Sequence, residues 1–134
     1  MKAVQITGWC ARFIREQVQP GDICIDATMG NGNDTLLLSS LCGKDGHVFA
    51  FDIQEAALIN TRKRLMALSK SLDLLQKGGL ISLCIYSGGD SGFEERNSVL
   101  AWLKELNPHK YLVIRSDYYN RPNNPPIPVL IIRQ

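Results

Sequence analysis

Two short apolar runs, Ile23–Ala27 and His47–Ile53, flank a polar glycine loop and one helix, and this order restricts the chain more than any other feature. Ile23-Cys24-Ile25-Asp26-Ala27 lies between the turn Pro20-Gly21-Asp22 and the loop Gly30-Asn31-Gly32-Asn33, so it reads as a buried strand. Thr35, Leu36, Leu37, Leu38 and Leu41 then form a helix, capped by Asn33 or Asp34 and closed by Gly43-Lys44-Asp45-Gly46. A strand–helix–strand unit of this kind joins parallel strands.

The rest of the chain continues the alternation. Trp9, Phe13, Ile14 and Val18 hold helical spacing over about Thr7 to Gln19. After Gln54 a leucine stripe (Leu58, Leu65, Leu68, Leu72, Leu75) runs to Lys77-Gly78-Gly79. Leu80 to Tyr86 is a third strand, and Phe93 to Leu106 a helix that turns Val99, Leu100, Trp102, Leu103 and Leu106 inward. Tyr111–Tyr118 and Val129–Ile132 are strands with only the Pro/Asn-rich stretch 120–128 between them, so they are expected to form an antiparallel pair at one edge of the sheet. The predicted fold is α/β: a mostly parallel sheet with helices on both faces and an antiparallel C-terminal strand, in one domain over 1–134.

Composition narrows the function classes. No apolar run reaches the ~20 residues that span a bilayer, and Arg12, Arg15 and Glu16 interrupt any signal-peptide core, so no membrane contact and a cytoplasmic location are expected. The net charge of +2 permits a nucleic-acid partner without arguing for one; Arg62-Lys63-Arg64, Lys70 and Lys77 read first as a solvated helix face. Cys10, Cys24, Cys42 and Cys84 form no C-x-x-C pair and none has metal-ligand spacing to His47 or His109. They read as buried free thiols, the two histidines as structural or solvated, and no metal is expected.

In open parallel sheets ligands bind beyond the carboxyl ends of the strands. Here that place holds Asp26, Thr28, Gly30, Asn31, Gly32, Asn33 and Asp34 after the first strand and Asp52, Ile53 and Gln54 after the second. A dinucleotide fingerprint would need glycine where Thr35 stands, and no Gly-Lys-Ser/Thr phosphate loop is present. A cationic sulfonium with a zwitterionic amino-acid end suits these polar groups better. Asp26 and Asp34 can meet an ammonium, Asn31 and Asn33 can hydrogen-bond the carboxylate or ammonium, Asp52 can accept both ribose hydroxyls, and Gln54 can reach the adenosine. The expected cofactor is therefore S-adenosyl-L-methionine.

The run from Gly21-Asp22 through Asp26-Ala27-Thr28-Met29-Gly30-Asn31-Gly32-Asn33-Asp34-Thr35 to Phe51-Asp52-Ile53-Gln54 resembles the rRNA methylase family, which includes tRNA 5-aminomethyl-2-thiouridine methyltransferases. Lys77-Gly78-Gly79, the loop from Tyr86 to Gly92, Glu94-Glu95, Asn120 and Asn123-Asn124-Pro125-Pro126 are similar as well, so the likeness covers two blocks, about 21–68 and 69–134. The resemblance implies a Rossmann-like class I methyltransferase, and a reaction at the aminomethyl group of a modified wobble uridine in the tRNA anticodon region. It supports Asn31, Asn33, Asp52 and Gln54 as cofactor contacts.

The family's third strand, a helix and the fourth strand, whose loop lies beside the transferable methyl group, have no counterpart between the blocks; roughly 50 residues are absent, about one such unit with its loops. A single helix from Gln54 to Gln76 would span about 35 Å, against about 23 Å for a seven-residue strand, so two helices joined at Leu68–Ser69 are expected, through an omitted stretch or a deletion. The family's Gly-His-x-x-Gly loop is replaced by Ser87-Gly88-Gly89-Asp90-Ser91-Gly92, so no histidine role carries over. Substrate-side candidates are Tyr86, as a stacking platform, and Asp90, as a holder of an aminomethyl cation or acceptor of its proton. A non-catalytic cofactor-binding remnant and another nucleotide-binding Rossmann enzyme are the alternatives, and a homodimer stays open.

Overall fold

The computed structural model describes residues 5–26, 31–50, 57–87 and 92–134, with the backbone alone given for 57–64. Its elements are α1 (Ile6–Gln17), β1 (Ile23–Asp26), α2 (Asn33–Cys42), β2 (His47–Ala50), α3 (Ala57–Leu74), β3 (Leu80–Ile85), α4 (Gly92–Lys104), β4 (Tyr111–Arg115) and β5 (Ile127–Arg133). The chain divides into two compact units, Met1–Gln54 and Glu55–Gln134.

In the first unit β1 and β2 pair in parallel, Ile23 opposite His47 and Asp26 opposite Ala50. Cys24, Leu38 and Cys42 form its buried centre, with Ile14, Val18 and Val48 packed around them. Trp9 and Phe13 meet edge to face, ring centroids 4.7 Å apart. Burial, then Cys42 and Asp22, pushes the Cys24 thiol up to about 11, so it behaves as a small apolar side chain. The turn into β2 depends on Gly46, where a Cβ would lie 2.6 Å from the Cys42 Cβ and 2.7 Å from the Asp22 carbonyl oxygen. The cap of α2 departs from expectation. It is Gly32, in the left-handed region at φ 77°, and neither Asn33 nor Asp34 caps the helix; both lie in its first turn.

In the second unit β5 lies between β3 and β4 and is antiparallel to both. The expected antiparallel pairing of the last two strands holds, with β4 at the edge and β5 inside. Ile127, Val129 and Ile131 face a core shared with Leu68 and Leu72 of α3 and Val99 and Leu103 of α4, and Val129 and Ile131 are fully buried. β5 also begins earlier than the proline-rich sequence suggests, because Pro128 is accommodated within it. The Pro128 carbonyl accepts the Ser116 N–H at 2.9 Å, one residue past the end of β4 at Arg115, so proline's missing donor costs only the reciprocal bond to Ser116 at the very end of the ladder.

The helix across Leu68–Ser69 follows the phase of the leucine stripe. α3 is one continuous helix of 18 residues, about 27 Å long, and the Ser71 hydroxyl donates to the Ala67 carbonyl across the proposed joint at 2.8 Å. Leu65, Leu68, Leu72 and Leu75 keep one phase and pack on one core, so nothing in side-chain spacing forces a break there. Among the described residues no helix is long and apolar enough to cross a membrane.

Candidate cofactor site

The site is anchored at the carboxyl end of β1. Asp26 closes that strand and is 6% exposed. The Thr35 hydroxyl, in the first turn of α2, donates to Asp26 Oδ2 at 2.5 Å and fixes the helix start to the strand end. Asp34 stands beside this pair, and its carboxyl is pushed above the ordinary range by burial and then by the negative charge of Asp26. Two carboxyl groups gathered at a helix start that has no side-chain cap favour a ligand bearing positive charge next to hydrogen-bond acceptors. This donor set fits the ammonium and carboxylate of an amino-acid moiety.

The structure thus brings together Asp26, Gly32, Asn33 and Asp34, with Asn31 exposed beside them. Thr28, Gly30, Asp52, Ile53, Gln54 and Asp90 lie outside the described residues. Tyr86 follows β3 and is 57% exposed. Thr35 was not among the sequence candidates. Its signal is faint: a hydroxyl nine residues after an aspartate becomes a partner only once the loop folds the helix back over the strand end.

Comparison with known proteins adds the family. A model of the family described as "Putative rRNA methylase" matches residues 65–132, half of the chain. The chain belongs to that family. It has the Rossmann-like α/β fold of class I methyltransferases, and S-adenosylmethionine is the family's cofactor. A crystal structure of a putative rRNA-methylase from Clostridium thermocellum is 34% identical, with a TM-score of 0.85 and all of both chains covered. A putative methyltransferase from Streptococcus mutans in complex with S-adenosylhomocysteine is 27% identical, with a TM-score of 0.77, covering 98% of this chain and 99% of that one. The chloroplastic tRNA (mnm5s2U34)-methyltransferase of Arabidopsis thaliana is 27% identical over 187 positions, covering 92% of this chain and 68% of the relative.

The last alignment bears on the missing segment of this family member. It runs over 187 positions, whereas 92% of 134 residues is about 123, so roughly 60 aligned positions have no residue here. The match to the family model also begins at residue 65, close to the boundary between the two sequence blocks.

Proposed function

We propose that residues 1–134 act as one methyltransferase domain, cytoplasmic in location, that modifies the aminomethyl group of a wobble uridine in tRNA. The observation that carries the cofactor half of this reading is the Asp26–Thr35 pair with Asp34 beside it. The tRNA half is supported by the Arabidopsis relative, whose name states that activity. Asp26 and Asp34 would hold the cofactor's ammonium, Asn31 and Asn33 its amino-acid end, and Asp52 and Gln54 its ribose and adenine. When bound, that group supplies a methyl already activated by a sulfonium. The remaining work of the chain is to orient a neutral amine and exclude water. Tyr86 would stack on a base, and Asp90 would hold the aminomethyl cation or accept its proton before transfer.

The test is transfer of labelled methyl groups from S-adenosylmethionine to tRNA carrying 5-aminomethyl-2-thiouridine, against the same tRNA without the aminomethyl group. Transfer to the first alone is expected. A folded chain that binds S-adenosylhomocysteine and transfers nothing would instead support a non-catalytic binding role, a reading favoured by the roughly 60 unmatched positions.

Asp34 gives a pH prediction with a definite sign. Its folded pKa is raised, so the folded chain holds this proton more tightly than the unfolded chain. Stability therefore falls as pH rises from the ordinary carboxylate range through the raised value, and the loss persists at neutral pH. Asp34→Asn is expected to raise Tm at pH 7 and to flatten that dependence. A bound cation favours ionised Asp34, so affinity for S-adenosylmethionine should weaken as the buffer is acidified. Titration calorimetry on Asp34→Asn should find weaker binding and a shallower pH profile; tighter binding would remove Asp34 from the site.

A further inference from the structure

The second unit contains a polar cavity lined by none of the residues assigned above to the cofactor. It has a volume of about 360 Å³ and is lined by Arg96, Asp117, Tyr118, Arg121, Asn123 and Asn124 over a floor of Pro126 and Ile127. β3 and β4 are both antiparallel to β5, so they run parallel to each other, and the cavity gathers residues beyond the carboxyl end of β4 together with Arg96, which reaches back to the carboxyl end of β3.

Its charge is positive. Asp117, the one carboxylate of the lining among the described residues, is engaged by Arg115 at 3.1 Å. Arg96 donates to the Ser87 hydroxyl at 3.0 Å, and the Arg121 guanidinium lies 5.8 Å from the Tyr118 ring centroid. Among the described residues, a hydroxyl and a ring leave both cationic charges uncancelled, and a guanidinium matches phosphate oxygens in pairs. Arg96 is held in place by a close approach: a Cβ on Gly92 would lie 2.7 Å from the Ser87 carbonyl carbon, so glycine there lets α4 start against the end of β3.

The rim is built on strained backbone. Asn123 and Asn124 are consecutive non-glycine residues at positive φ, 64° and 46°, and they sit between Pro122 and Pro125-Pro126. Left-handed conformations of this kind concentrate where a chain clamps a ligand. Each amide offers one acceptor and two donors, the pattern that reads the adjacent carbonyl and N–H of a pyrimidine edge. An acidic peptide would use the guanidiniums but not this amide pair.

We propose that this cavity receives one unstacked pyrimidine nucleotide of a single-stranded RNA segment, its phosphate on Arg96 and Arg121 and its base edge on Asn123 and Asn124. The proposal rests on the reading of the chain as an RNA methyltransferase and deepens it. The probe is a fluorescent tRNA anticodon stem-loop, titrated by anisotropy at several salt concentrations, with S-adenosylhomocysteine binding measured on the same samples. Arg121→Gln is expected to weaken RNA binding about 10-fold and to lower the salt slope by about 0.7, leaving S-adenosylhomocysteine affinity unchanged. Arg96→Gln should act likewise. Asn123→Gly keeps a backbone that tolerates positive φ and removes only the amide, so it stays folded if the arginine variants do not. It should erase any advantage of uridine monophosphate over ribose 5-phosphate as competitor. If the unmodified chain binds RNA and these variants bind it equally well, the cavity assignment falls and the family reading stands. Displacement of the RNA by an acidic peptide as readily as by uridine monophosphate also overturns the assignment. If the unmodified chain binds S-adenosylhomocysteine but no RNA, the RNA reading fails with it.

Discussion

Asp26→Ala is expected to reduce affinity for S-adenosylhomocysteine by at least about 30-fold, because truncating one partner of a buried charged pair costs about 2–5 kcal/mol. Asp26 is buried at the end of β1 and holds the Thr35 hydroxyl. Its loss removes a negative charge from the proposed ammonium site and unties the start of α2. Thr35→Val separates the two effects. It keeps the carboxylate and the side-chain shape while deleting the tether, so a smaller loss is expected. Asp34 supplies an internal check, since removing Asp26 takes away one of the two causes that raise its carboxyl. Titration calorimetry measures the affinity. An unchanged value in Asp26→Ala would move the cofactor away from this strand end.

Ile131→Ala is expected to lower stability by about 2–5 kcal/mol, a large share of the about 5–15 kcal/mol typical of a whole domain. Ile131 has no exposed surface, pairs across β5 with Ile81 on one side and Val113 on the other, and belongs to the core shared with α3 and α4. The cavity left by a three-carbon truncation opens at the one strand that joins its two neighbours. Urea unfolding should show a lower midpoint with an unchanged slope. Ile132→Ala is the comparison, since Ile132 points to the opposite face and is only partly buried. A loss at Ile131 no greater than at Ile132 would argue against tight packing on the helical face.

Much of this fold is visible in the sequence because its elements follow simple periods. The leucine phase of α3 and the apolar runs of β1 and β3 are written in adjacent or helically spaced residues. Errors arise where a residue's usual meaning is overridden. Pro128 signals a break, yet it sits in β5 because its missing donor falls at the last rung toward β4, opposite Ser116. Asn33 and Asp34 look like caps, yet Gly32 alone takes the left-handed turn easily. The long α3, by contrast, follows its leucine stripe, whose phase runs unbroken through Leu68–Ser69. At the site, the carboxylates at Asp26 and Asp34 are legible from their position after a strand. The Thr35 tether and the shift at Asp34 depend on a fold-back that no spacing rule encodes. The cavity of the second unit was less legible still, since its lining comes from α4, the end of β4 and the loop into β5.

The place of β5 also orders events during synthesis. Among the described residues, β3 and β4 share no hydrogen bonds with each other, and each is bonded to β5. A ribosome that has made everything up to Pro126 has therefore released the parts of a sheet with no seam between them. The hydrogen-bonded ladder closes only after Ile127–Arg133 emerges, and until then the apolar edges of β3 and β4 stay open to wrong partners. The second unit should thus gain protease resistance in one step, when β5 clears the exit tunnel, and not progressively as its helices appear.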